Sequence, residues 1–340
     1  MTPTIRPSTT SGNPPGEAAN PAKVFCSLSA HPVSASDPAG YRPCADHPWR
    51  CGVRRIEALT EFFSSKAPGQ GCEPNRMINS PLMTVMVDAV RKAARGLKRD
   101  FGEIENLQVS RKGPGNFVSA ADRKAEEVLR DALMKARPGY GLIMEESGNI
   151  EGTDKSHTWH VDPLDGTTNF LHGIPHFAIS VGLEREGQIV AGVIYDPAKD
   201  ELFIAERGKG AFLNNRRLRV SGRQDFAEAL VAYGTPYLGR GSHGRLLKEV
   251  AAVMAVSGGT RRLGSAALDL AYVACGRTDL YWERDLQTWD IAAGIILVRE
   301  AGGFVTSADG GAEPLAARSV ACGNEVLHRD LIGLLRKAAA

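Results

Sequence analysis

The sequence predicts an α+β domain of mixed layers over residues 77–340, preceded by a segment of different texture. Three observations point there. Amphipathic helical stripes open the domain, β-rich runs broken by paired turn residues fill its middle, and further helices and short strands alternate toward the C-terminus. Because many strands neighbour one another with no helix between them, a simple parallel wound sheet does not fit.

The first stripe is Met86, Val90, Ala93, Leu97 and Phe101, at helical spacing. The second is Ala125, Val128, Leu129, Ala132, Leu133 and Ala136, ended near Pro138. "YGLIM" (140–144) reads as a strand running into the acidic loop Glu145-Glu146-Ser147, and "HTWHV" (157–161) as another strand. "FAISVGLEREGQIVAGVIYDP" and "ELFIAERGKGAFLNNRRLRV" carry Glu-Gly, Asp-Pro, Arg-Gly and Asn-Asn turn signals, the pattern of antiparallel ribbons. "SAALDLAYVACG" (265–276) is a helix closed by Gly276, and "TDLYWE" (278–283) is a short strand. "TWDIAAGIILVREAGG" (288–303) is a helix with a glycine stop, and "GFVTSAD" (303–309) is a late strand.

Residues 1–76 differ. They hold 11 of the 19 prolines and four of the six cysteines, with almost no apolar periodicity, so they cannot bury enough surface to offset their ordering entropy. A disordered, dispensable extension is expected, one reading of it being an artefactual start upstream of Met77. "RRIEALTEFF" (54–63) is its one helix candidate. Cys44, His47 and Cys51 suggest zinc, but no fourth ligand stands at regular spacing. The chain is 43% hydrophobic with a net charge of +2, ample for a large core and no general signal for polyanions. No apolar run approaches the roughly 18 residues of a membrane helix, and no secretory signal core is present. Sparse, unpatterned cysteines fit reduced thiols and a cytoplasmic location.

The chemistry lies in carboxylates at awkward places: Glu145, Glu146, Asp162, Asp165 and Asp290, each bordering an apolar run. Singly they have plain explanations. Asp165 before Gly-Thr-Thr suits an N-cap, and Asp290 suits the first turn of a helix. Asp122 closes "SAAD", a capping box that needs no further role. Jointly they say more. Several like charges within about 4–6 Å resist ionisation unless cations neutralise them. With no His or Cys among them, the donors are hard oxygens and select Mg2+ or Mn2+ over zinc. Two such ions clamp the attacking and leaving oxygens of a phosphoryl transfer. Gly166-Thr167-Thr168 at a helix start would offer N–H groups to the phosphate.

"WHVDPLDGTTNF", "MEESG" and "WDIAAGIILVREAGG" together resemble the three signature segments of the inositol monophosphatase family, Mg2+-dependent and lithium-inhibited phosphatases. The resemblance covers roughly residues 84–335, and "RRLGSAALDLAYVACGRTDLYWE" is similar to its bacterial SuhB-type branch. It implies a layered αβαβα sandwich of the inositol monophosphatase and fructose-1,6-bisphosphatase type, usually a homodimer. It implies two or three Mg2+ ions, with Mn2+ able to substitute. Glu145 then matches the glutamate that binds the first ion and polarises water, and Asp162 the aspartate that bridges two ions. Leu164 matches a carbonyl ligand of the first ion. Asp165 and Asp290 match ligands of the second, Asp165 also meeting substrate. Gly166 and Thr167 match phosphate contacts, and Thr167 also orients the attacking water. Glu283 matches the acid that hydrogen-bonds inositol hydroxyls, with Gly264, Ser265 and Ala266 lining that pocket. Lys112 and Asp122 fall at a mobile loop and a weaker third ion position. Met144 departs from the family's frequent glycine, a change expected to alter loop packing and not ligation.

The expected activity is hydrolysis of inositol monophosphates. The alternatives are the same chemistry on histidinol phosphate, fructose 1,6-bisphosphate, a nucleotide 3′-phosphate or NADP, or a mainly transcriptional role with RNA polymerase in antitermination, as the SuhB-type branch also implies. Glu283 and the short loops around it favour a small polyol.

Overall fold

The computed structural model describes residues 80–103, 109–113, 116–236 and 241–339, with the backbone alone at 109–113 and 116–119. The expectations for residues 1–76, including the helix at 54–63 and the Cys44, His47 and Cys51 trio, lie outside the described residues, as does the Lys112 side chain.

Helix α1 (Pro81–Gly102) starts where Ser80 accepts a hydrogen bond from the Met83 N–H at 3.1 Å, with Pro81 at the first helical position. Its predicted stripe is buried: Met86, Val90, Ala93 and Leu97 face inward. A hairpin of β1 (Val109–Gly113) and β2 (Asn116–Ser119) leads to α2 (Ala120–Ala136), which packs against α1.

The long β-rich middle becomes one eight-stranded sheet. Its strands are β3 (Tyr140–Met144), β4 (Gly148–Ile150), β5 (Asp154–Asp165), β6 (Ala178–Arg185), β7 (Gln188–Asp196), β8 (Glu201–Glu206), β9 (Gly210–Leu213) and β10 (Arg216–Arg217). Their order is β10-β9-β8-β7-β6-β5-β3-β4, antiparallel except where β3 and β5 run side by side. A short helix, α3 (Thr167–Leu171), follows β5.

The C-terminal half builds a second sheet of five strands: β11 (Leu230–Tyr233), β12 (Gly259–Arg261), β13 (Leu280–Glu283), β14 (Phe304–Thr306) and β15 (Val320–Gly323), in the order β12-β11-β13-β15-β14. With it come α4 (His243–Met254), α5 (Ala266–Ala274), α6 (Thr288–Glu300), α7 (Pro314–Ala317) and α8 (Glu325–Ala339).

Side-chain alternation along the strands assigns the layers. Ile179, Val181 and Leu183 of β6 share a core with α1 and α2, while Ala178 and the neighbouring Ile194 and Phe203 face α5 and α6. The small sheet repeats this: Tyr281 and Cys322 join the α5–α6 core, and Leu280, Trp282 and Ala321 turn to α4 and α8. The order is therefore helix pair, sheet, helix pair, sheet, helix pair, the predicted αβαβα sandwich. The central pair is enclosed on both sides, and Ile291 to Val298 of α6 are all buried. Two glycines let α6 lie close on the large sheet: a Cβ at Gly182 would stand 2.7 Å from the Ala292 Cβ, and one at Gly192 would stand 2.6 Å from the Ile296 Cγ2.

Candidate active site

The parallel pairing of β3 with β5 ends with Met144 opposite Val161, so Glu145, just past β3, and Asp162, the next residue of β5, follow adjacent strands side by side. Parallel pairing is what puts two C-terminal strand ends together. The pairing of β5 with β6 slips between Asp162 and Asp165, three residues of β5 passing two of β6. Pro163 sits in that bulge, where a strand tolerates a residue with no N–H. The bulge brings both aspartates to the same cleft. Asp162 accepts the Leu164 N–H at 2.9 Å, which fixes its carboxylate.

Asp165 reaches across to the C-terminal half. It accepts the Ser265 hydroxyl at 2.5 Å and the Ala267 N–H at 2.7 Å, so it sits on the N-terminus of α5. Ser265 caps the same helix through the Leu268 N–H. Asp290 lies in the first turn of α6 and accepts the Gln287 N–H at 2.7 Å. The first-turn placement of Asp290 therefore holds, whereas Asp165 does not cap the helix after it, whose N-cap is Gly166 without a side-chain bond; it serves the start of α5 instead, and both carboxylates face the cleft.

The cleft is lined by Glu145, Asp162, Leu164, Asp165, Gly166, Thr167, Gly264, Ser265, Ala266, Glu283 and Asp290, and also by Arg262 and Arg284. Asp122 does not line it. It is buried in the first turn of α2, where it stands behind the Thr167 hydroxyl, which lies 3.2 Å from its Oδ1 and 3.0 Å from the Leu164 carbonyl. The partner residue of its predicted capping box, Ser119, has no described side chain.

Burial and mutual repulsion govern the electrostatics. Burial first, then the charges of Glu145, Asp165 and Asp290, hold the Asp162 carboxyl well above the usual carboxylate range. Asp290 is raised for the same reasons, Asp165 being the first charge after burial. Burial pushes Asp165 up to about 6 and Glu283 up to about 7, Asp165 adding to the latter. Four like charges spread apart across the cleft, and among the described residues no three His, Cys, Asp or Glu side chains close round one point. The fit to divalent cations rests instead on donor chemistry: carboxylates and a main-chain carbonyl, all hard oxygen, whose mutual repulsion a bound cation relieves while keeping them ionised.

Several supporting residues escaped the sequence reading. Glu126 of α2 accepts the Glu146 N–H at 2.7 Å with one oxygen and the Ser147 hydroxyl with the other, holding the loop that carries Glu145. Asn169 donates to the His176 and Leu263 carbonyls at 2.8 and 2.9 Å, tying the segment after β5 to the pocket segment around Gly264. His160 joins Glu184 and Thr288, each at 2.9 Å, linking the sheet to the start of α6. Gly234 leaves room for Glu283, since a Cβ there would overlap the carboxylate at 1.7 Å. Glu126 alone left a trace in the sequence, an acid on the buried face shared by Asp122, Ala125 and Leu129.

A profile of the inositol monophosphatase family matches residues 78–340. The chain belongs to the inositol monophosphatase family. The match extends past both ends of the predicted 84–335. An "Inositol-1-monophosphatase" of Mesorhizobium japonicum is 61% identical over 261 residues, 77% of this chain and 98% of that protein. The "Nus factor SuhB" of Escherichia coli strain K12 is 40% identical over 256 residues, 75% of this chain and 96% of that protein. Among solved structures, the extragenic suppressor protein suhB of Bartonella henselae superposes with a TM-score of 0.74 at 56% identity, covering 76% of this chain and 99% of that one. This family of phosphatases is metal-dependent, in keeping with the oxygen donors of the cleft. Among the described residues no helix is long and apolar enough to cross a membrane.

Proposed function

We propose that this chain is a Mg2+-dependent phosphomonoesterase that hydrolyses inositol monophosphates to inositol and phosphate. The observation that carries the reading is the meeting of Glu145, Asp162, Asp165 and Asp290, from three separate chain segments, in one cleft that also contains Glu283. Relatives named inositol-1-monophosphatase at 53–61% identity support the substrate class.

Glu145, Asp162, the Leu164 carbonyl, Asp165 and Asp290 would hold two Mg2+ ions, with Asp122 available to a third and Mn2+ able to replace Mg2+. When bound, the ions supply Lewis acidity to the phosphoryl oxygens and lower the pKa of water. The chain's own residues orient the reaction. Thr167 directs its hydroxyl between Asp122 and the Leu164 carbonyl, and in the proposed mechanism it aligns the attacking water. Gly166, as the left-handed N-cap of α3 at φ 90°, leaves the approach to phosphate clear of a side chain. Glu283 accepts substrate hydroxyls, with Gly264, Ser265 and Ala266 shaping the wall beside it. Water protonates the departing alkoxide.

Phosphate release over a panel of inositol, histidinol, sugar and nucleotide phosphates and NADP tests the substrate. Inositol monophosphate should be turned over with the highest kcat/KM, and preference for another member would move the chain to that activity. Asp162→Asn should remove turnover, because a neutral amide cannot balance two divalent ions; activity within tenfold of the parent would sink the two-ion assignment. Lithium should inhibit at fixed Mg2+ where sodium does not. The same reading expects a cytoplasmic homodimer. The relative named a Nus factor supports a second, transcriptional role. Co-purification of RNA polymerase with Asp162→Asn as well as with the parent would favour that role as independent of catalysis.

A further inference from the structure

The NNRRLRV stretch that ends the antiparallel ribbon takes no part in the cleft. Its arginines line a separate open hollow of about 200 Å³, where Arg216, Arg217 and Arg219 meet Arg277 from just beyond α5, with Leu218 and Cys275 between them and no carboxylate in the lining. Edge strands often carry charge to discourage pairing with other chains, which would account for exposed cations on β10. It does not account for four arginines lining one hollow, three of them with their guanidinium groups held by neighbours.

Arg277 is fixed by a two-pronged ion pair with Glu201, one contact at 2.6 Å, and lies 4.9 Å over the Tyr272 ring. Arg217 lies 6.0 Å over the Phe212 ring. It folds toward Gly210, where a Cβ would stand 3.1 Å from its Nη2. Arg219 donates to the Leu218 carbonyl at 3.0 Å. Glu201 compensates Arg277 alone; among the described residues Arg216, Arg217 and Arg219 have no ion-pair partner. Guanidinium groups fixed before a ligand arrives lose little freedom on binding it, and their planar forks match phosphoryl oxygens.

We propose that this cavity is an anion-binding site for a small ligand bearing two or more linked phosphoryl groups. Three uncompensated positive charges call for more than one phosphate dianion, and a cavity this size excludes a large ligand from full enclosure. The site lies outside the catalytic cleft and does not depend on the activity assigned to it.

The test is a calorimetric titration of the full chain with tripolyphosphate in EDTA, which removes the divalent cations that would draw the anion to the carboxylates of the cleft. One saturable site is expected, weakening as salt rises and at least about tenfold weaker in Arg216→Ala/Arg219→Ala, two charge-assisted contacts having been lost. Phosphatase turnover and melting temperature should be those of the parent, since both side chains are exposed. Should the double variant melt early, Arg219→Gln alone carries the same comparison. Absence of saturable binding by the parent, or equal binding by parent and variant, overturns the site. Binding of an RNA oligonucleotide without binding of tripolyphosphate overturns the small-ligand assignment.

Discussion

Glu126 shows how a residue remote from substrate can govern the cleft. It lies on the buried face of α2, between Ala125 and Leu129 in an apolar core, and both its oxygens are engaged by the loop after Glu145. Glu126→Gln keeps one acceptor but offers an amide to the second donor. Losing one hydrogen bond to a charged group costs about 1.5–3 kcal/mol, enough to let Glu145 drift. The expected result is a kcat about tenfold lower and a higher Mg2+ requirement in a direct Mg2+-binding titration, with a melting temperature lowered by several degrees and the fold retained. Unchanged Mg2+ affinity would reduce Glu126 to a packing residue. Glu283 makes a prediction about pH. Its folded pKa of about 7 lies above its ordinary value, so the folded state holds its proton more tightly than the unfolded chain does. The stability that Glu283 contributes to the metal-free protein is therefore full below the ordinary carboxylate range and is lost as pH rises through about 7. Asp269, raised by burial and then by Glu283, acts in the same direction. Denaturant midpoints from pH 5 to 8 should fall, and Glu283→Gln should flatten the part near 7; an unaltered slope would remove Glu283 as its source.

At the scale of elements, α6 matters most because it serves two masters: it fills the middle layer and carries Asp290 at its N-terminus. Its depth is set by Gly182 and Gly192. Gly192→Ala would place a Cβ 2.6 Å from the Ile296 Cγ2 and 2.7 Å from the Ala293 carbonyl, and backbone cannot move aside as a side chain can. Overpacking of this kind costs about 1–3 kcal/mol. Because the displaced helix also carries Asp290, Gly192→Ala should lower kcat at temperatures where it remains folded. A drop in denaturant midpoint with no loss of kcat would show that the start of α6, held by the Thr288 contact to His160, stays in place.

At the scale of the whole molecule, the boundary at Met77 is a proposal. It is supported by the family match from residue 78 and by α1 beginning at Pro81 with its own cap at Ser80. A truncated chain starting at Met77 should fold, dimerise and hydrolyse inositol monophosphate like the full chain, and the full chain should hold no zinc. Aggregation or loss of most activity on truncation would make residues 1–76 part of the working protein, and bound zinc would revive the role of Cys44, His47 and Cys51.

By itself the sequence determined the elements with strong periodicity and the identity of the acids. The α1 and α2 stripes, the "YGLIM" strand, the ribbons of the large sheet and the glycine stops at Gly276 and Gly302 follow from local patterns, and both glycines take the left-handed conformation that ends a helix. The acids were legible because each interrupts an apolar run. Helices α4 and α8 and strands β11 and β15 were not singled out. Only the tertiary structure decided how the segments meet. The register slip between β5 and β6 turns Asp162 and Asp165 to one cleft, and the reach of Asp165 to Ser265 and Ala267 joins residues 100 and 102 positions apart. Such contacts depend on sheet order and layer packing, which leave no local period in the chain. For the same reason Glu126, Asn169, His160 and Gly234 went unseen: each is defined by a partner distant in sequence, and a buried acid or a glycine has no meaning until that partner arrives.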